Sequence, residues 1–106
     1  MSIAVPLDEL ANALAEYPWG YLITVGDDQR GRTLAVPTDL RDGRLWCAAG
    51  ERTRRFAASR TDVTMVFPPT AGDAMSLIVD GLAEVADDGV WIAPTWAVRH
   101  RPALSD

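Results

Sequence analysis

Leu45-Trp46-Cys47-Ala48-Ala49-Gly50-Glu51-Arg52-Thr53-Arg54-Arg55-Phe56-Ala57-Ala58-Ser59, followed closely by Val63-Thr64-Met65-Val66-Phe67, decides the reading of this chain. The first five residues are an apolar run of strand length, and Gly50 interrupts it. Glu51 to Ser59 predicts a short helix, and Val63 to Phe67 predicts the next strand. Arg52, Arg54 and Arg55 cluster at the start of that helix. Free backbone N–H groups and the positive end of the helix dipole lie at the same place, so the segment suits a phosphate. Guanidinium fits the task because it stays charged and presents a planar fork of donors. Thr53 is placed to cap the helix or to donate to the same anion. The same arginines also suit a solvated helix face, with Glu51 and Asp62 as partners.

Upstream, Pro6 to Glu16 predicts an amphipathic helix with Leu7, Leu10, Ala11 and Leu14 on one face, ended by Pro18. Trp19 to Val25 predicts a strand with Trp19, Tyr21, Ile23 and Val25 on one side. Gly26 to Gly31 is a polar turn, and Thr33 to Pro37 a second strand. Asp42-Gly43 signals a tight hairpin into Leu45. Downstream, Pro68 to Asp73 reads as a loop and Met75 to Val85 as a long alternating strand. Asp80-Gly81 within it suggests a bulge. Asp88-Gly89 opens another hairpin, into Val90 to Ala93, which Pro94 ends. The order is helix, three strands, helix, three strands. Hairpin-length links imply antiparallel pairing, so the expectation is a mainly β, six-stranded barrel with helices over its openings.

At 106 residues the chain is expected to be a single domain over 1–106. Apolar residues make up 48%, which places it with folded rather than disordered chains. No apolar run approaches the roughly 20 residues of a membrane span, and no signal peptide is visible, so a cytoplasmic location without membrane partners is expected. A net charge of −5 opposes nucleic-acid binding as a main function. All ten basic residues are arginine, so no lysine Schiff base can form. One cysteine and one histidine exclude an internal disulfide and a cysteine–histidine zinc site. Cys47, in an apolar strand without a nearby base, reads as an inert buried thiol. With a single histidine and no nucleophile elbow, a Ser-His-Asp hydrolase is rejected.

This order resembles the flavin-binding split-barrel superfamily typified by pyridoxamine 5'-phosphate oxidase. Four stretches carry the resemblance: Leu7 to Asp28; Asp42-Gly43-Arg44-Leu45-Trp46; Arg52 to Met65; and Ser76-Leu77-Ile78-Val79-Asp80-Gly81-Leu82-Ala83-Glu84-Val85, which is similar to the family's V-x-G-x-A-x-V strand. The resemblance implies a six-stranded split barrel, a homodimer, and a flavin mononucleotide (FMN) at the subunit interface. It places the flavin phosphate among Arg52, Thr53, Arg54 and Arg55. It places the ring along Val36-Pro37-Thr38 and Trp46-Cys47-Ala48. Some relatives bind the deazaflavin F420 and others haem, so the implied function is FMN- or F420-dependent oxidoreduction of a small molecule. The tail from Thr95 to Pro102 does not match the oxidases' substrate-binding motif, which argues against pyridoxamine phosphate itself. A cofactor-free dimer with a binding or stress-related role is the alternative reading.

Two further residues keep open readings. Trp46 suits stacking on a flavin, and equally core or dimer-interface area. His100, between Arg99 and Arg101, suits an exposed tail, a haem ligand or a proton donor to a reduced flavin.

Overall fold

The computed structural model describes residues 1–72 and 74–101. Eight strands form one antiparallel sheet: β1 (Ser2–Ala4), β2 (Trp19–Val25), β3 (Gly31–Pro37), β4 (Leu40–Arg41), β5 (Arg44–Ala48), β6 (Asp62–Phe67), β7 (Ser76–Val85) and β8 (Gly89–His100). A helix α1 (Leu10–Leu14) precedes β2, and α2 (Glu51–Ser59) joins β5 to β6. The strand order is β3-β2-β6-β7-β8-β5-β4, with β1 added on β8. β3 and β4 are therefore the two ends of the strand path. No helix among the described residues is long and apolar enough to cross a membrane.

Alternation builds the barrel. Leu22, Val63, Met65, Phe67, Leu77, Val79, Val90 and Ile92 point inward and are buried. Leu10, Ala13, Leu14 and Tyr17 close one side of this core, and the Tyr17 hydroxyl donates to the Met75 carbonyl at 2.7 Å. Phe56 and Ala57 are the buried residues of α2, which packs against β7, β2 and β8. The mainly β class and the helix between β5 and β6 match the sequence reading.

The strand count does not match: eight are present among the described residues instead of six. β1 and β4 are short and exposed, with too few residues to show a period. The β4–β5 hairpin does turn at Asp42 and Gly43, both at positive φ (51° and 80°), as the Asp-Gly signal requires. β8 also runs past Pro94, where a strand end was expected. It pairs with β5 only as far as Ile92 and with β1 only from Val98, so the missing proline N–H falls between partners. The predicted bulge is real, but the extra residue is Thr95 of β8, facing Asp80 and Gly81. It restores the alternation that turns Trp96 outward and Ala97 inward. The first helix is shorter than expected: a 3-10 turn over Leu7–Glu9 leads into α1, where Leu10 and Leu14 are buried as expected, with Ala13 buried in place of Leu7 and Ala11. Asp73, at the end of the predicted loop, and Pro102, at the end of the predicted tail, lie outside the described residues.

Candidate functional site

The segments singled out for a cofactor lie where the two ends of the strand path come together. Thr38 follows β3 and donates its N–H to the Pro18 carbonyl at 3.0 Å. The next residue, Asp39, accepts from the Trp46 N–H at 2.8 Å. This holds the end of β3 beside β5. β5 in turn runs through Ala49 and Gly50 into α2, and Ala49 N–H donates to the Asp88 carbonyl at 3.1 Å.

Within this frame Val36 and Cys47 point into the core, so only their backbone is available. Pro37 is exposed and Thr38 is half-buried. Pro18, Trp19, Ala35, Val36 and Pro37 line an open, apolar depression of ≈ 360 Å³. Trp19 is the aromatic residue of this lining. It is 41% exposed and meets Tyr21 edge-on, with ring centroids 5.0 Å apart. Its pairing with Pro37 was the signal available, and only tertiary structure gives that register.

Trp46 lies on the outside of the barrel, opposite Trp91, with ring centroids 4.7 Å apart. The Arg44 guanidinium stands 4.4 Å from the Trp91 ring, and Arg41 stands 5.7 Å from that of Trp46. Arg41 is held by a forked pair to Asp39, which raises its already high pKa further. The Cys47 thiol lies 3.8 Å from the Met65 sulfur, and burial, helped by the Asp39 charge, pushes it up to about 12. It is an inert thiol, as expected.

The arginines of α2 divide. Arg52 is exposed and has no ion-pair partner among the described residues. Thr53 is half-buried and makes no cap bond. Arg54 donates through Nη1 to the Asp87 carbonyl, tying the helix to the β7–β8 turn. Arg55 lies 3.9 Å from Asp27, with its guanidinium 5.2 Å from the Phe56 ring centroid. The partners expected from sequence, Glu51 and Asp62, are not used among the described contacts. Glu51 sits in the first turn and Asp87 and Asp88 lie beside it, which weakens the positive field at the helix start. His100 is the last residue of β8, half-buried, with Nδ1 3.2 Å from the Ser2 hydroxyl.

Two buried side-chain polar atoms lack a partner among the described residues: Thr38 Oγ1 and Arg54 Nε. Buried polar groups are ordinarily paired, so each marks a place where a bonding partner is due. One belongs to the ring segment and the other to the phosphate segment.

No family model matches the chain. An uncharacterized protein of Mycobacterium bovis and one of Mycobacterium tuberculosis are each 40% identical over 119 aligned positions, which covers 96% of this chain and 84% of the relative. Among solved structures, an FAD-binding protein of Mesorhizobium loti superposes with a TM-score of 0.72 at 14% identity, over 93% of this chain and 96% of that one. A Listeria innocua protein assigned as a pyridoxamine 5'-phosphate oxidase gives 0.72 at 14% identity, over 86% and 94%. An F420 reductase gives 0.66 at 18% identity, over 81% and 94%. The chain belongs to one family with the two mycobacterial proteins, and its fold is the pyridoxamine 5'-phosphate oxidase-like split barrel. In this split barrel the segment after β3 is bonded to β5, which runs through Gly50 into the start of α2. That placement puts the two orphaned polar atoms in the segments that the resemblance marked.

Proposed function

We propose that this split-barrel protein binds a flavin-type cofactor, FMN or F420, as a homodimer and serves as an oxidoreductase for a small molecule. The observation that carries the reading is the pair of unsatisfied buried atoms, Thr38 Oγ1 and Arg54 Nε, in the two segments a flavin would touch. Arg52, Thr53, Arg54 and Arg55 would hold the phosphate. Thr38, Pro37 and the backbone of Val36, Trp46, Cys47 and Ala48 would line the ring. The depression at Trp19 and Pro37 offers apolar area beside them. A bound flavin supplies the electron-pair chemistry, while the chain orients it and limits access of water. The shared fold of an FAD-binding protein and an F420 reductase supports a cofactor of this class.

The test is an absorbance spectrum of the purified protein, followed by titration with FMN, F420 and haemin. Saturable binding of FMN or F420 is expected. Failure of both to bind removes the redox reading and leaves the cofactor-free dimer. One observation favours that second reading: Arg54 and Arg55 already contact Asp87 and Asp27. A Soret band lost in His100→Ala would point to haem instead.

A further inference from the structure

The Arg99-His100-Arg101 stretch lies outside the segments proposed for the flavin, and the fold turns its two arginines to one side. Arg99 stands directly opposite Leu77, which is buried inside the barrel, so it shares the inner face at the rim. The chain stays paired one residue past β8, where the Arg101 N–H donates to the Met1 carbonyl at 2.9 Å. Alternation then returns Arg101 to the side of Arg99, roughly 7 Å further on. His100 is sent to the other side, beside the Ser2 hydroxyl. Arg99 and Arg101 border one open hollow of ≈ 390 Å³, together with Glu16, Tyr17, Thr70 and Met75.

The floor of this hollow is fixed. Tyr17 is buried, and its hydroxyl donates to the Met75 carbonyl at 2.7 Å. Arg99 donates through Nη1 to Glu16 Oε2 at 2.9 Å, and that bond raises its already high pKa. Its Nε and Nη2 make no hydrogen bond among the described contacts. Arg101 is exposed and has no ion-pair partner among the described residues. Glu16 is the one carboxylate of the lining, so two guanidinium groups face a single acid in a chain of net charge −5. A guanidinium fork matches a carboxylate, and Glu16 already occupies one such position on Arg99. The Glu16 side chain is 61% exposed, so it can swing into water when another acid takes its place. Tyr17 and Met75 add apolar wall for an organic body.

We propose that this hollow binds a small, singly charged organic carboxylate between Arg99 and Arg101, and that Glu16 is the internal acid it competes with. One excess positive charge suits a monoanion; a dianion would stand uncompensated against Glu16. The site shares no residue with those assigned to the flavin, and it requires no flavin to be bound.

The test is a titration of the full chain with sodium benzoate, followed by amide NMR, with sodium chloride at equal ionic strength as the control and inorganic phosphate as a second probe. Saturable shifts are expected at the amides of Thr70, Arg99 and Arg101. Arg101→Ala should raise the benzoate dissociation constant roughly tenfold, and Glu16→Gln should lower it about threefold. Circular dichroism checks that each variant is folded, and Arg101→Gln replaces Arg101→Ala if the latter is not. No saturation by benzoate in either the wild type or Glu16→Gln overturns the site. An affinity unmoved by the loss of Arg101 overturns the paired arginines, and one unmoved by Glu16→Gln overturns the competition. Phosphate binding more tightly than benzoate overturns the carboxylate. The flavin reading stands or falls separately, by its own titration.

Discussion

The Cys47 thiol points at the Met65 thioether across 3.8 Å inside the barrel, where both side chains are buried. Desolvation, and then the charge of Asp39, raise the thiol from its ordinary 9.0 to about 12. Below pH 9.0 the folded and unfolded chains both keep this proton, so the group leaves stability unchanged. Above it, the unfolded chain releases the proton and the folded chain does not. Stability therefore falls with rising pH, by up to about 1.4 kcal/mol per unit. In urea melts at about pH 8 and pH 10, the wild type should lose roughly 1.4 kcal/mol more than Cys47→Ala. Equal losses would mean that the fold does not hold the thiol protonated.

Gly81 is required by close approach of strands. A Cβ there would lie 2.5 Å from Ile92 Cγ2 and 2.7 Å from the Ala93 carbonyl oxygen. The carbonyl belongs to the backbone beside the Thr95 bulge, so it cannot rotate away as a side chain tip could. Gly81→Ala should destabilise the chain by about 1–3 kcal/mol or more, read as a lower urea midpoint. An unchanged midpoint would show that β7 and β8 separate freely at the bulge.

The two leading arginines of α2 should separate in their effects. Arg54 ties the helix to the Asp87 carbonyl and carries an unsatisfied buried Nε, whereas Arg52 is exposed. Arg54→Ala is expected to cost about 1 kcal/mol of stability and to weaken flavin binding by about 1–3 kcal/mol. Arg52→Ala should leave stability within about 0.5 kcal/mol while still weakening the flavin. Thermal melts and flavin titration of both variants check this. Full flavin affinity in both variants and in the double variant would take these side chains out of the site.

How much was legible follows from what each signal depends on. Gly50 and the helix Glu51–Ser59 were readable because breaker, helix and strand sit next to one another in sequence. The Asp42-Gly43 turn was readable because its φ values are a local demand. β1 was not, since it exists only through pairing with the distant β8; β4 was not, since its two residues before that turn are too few to show a period. Pro94 misled for the same reason: whether a proline ends a strand depends on which neighbour needs its N–H. In the site, the segments were readable but the division of labour was not. That Arg54 reaches the β7–β8 turn, and that Trp19 pairs with Pro37 to form a depression, are facts of register.

Thr38 offers the sharpest separation of binding from folding. Its Oγ1 is buried without a partner among the described residues, so the hydroxyl costs the cofactor-free chain desolvation and returns no bond. Valine keeps the branched shape and removes the hydroxyl. Thr38→Val should therefore leave the cofactor-free protein as stable as the wild type, or more stable by about 1 kcal/mol. If the hydroxyl meets a flavin, the same change should weaken flavin binding roughly tenfold, since the cofactor then loses a buried bond. Paired urea melts and flavin titrations read both quantities. Lower stability in the cofactor-free variant would mean that Oγ1 bonds to the chain or to water. Unchanged affinity would place the ring away from Thr38, and the depression beside Trp19 would then be the next segment to probe.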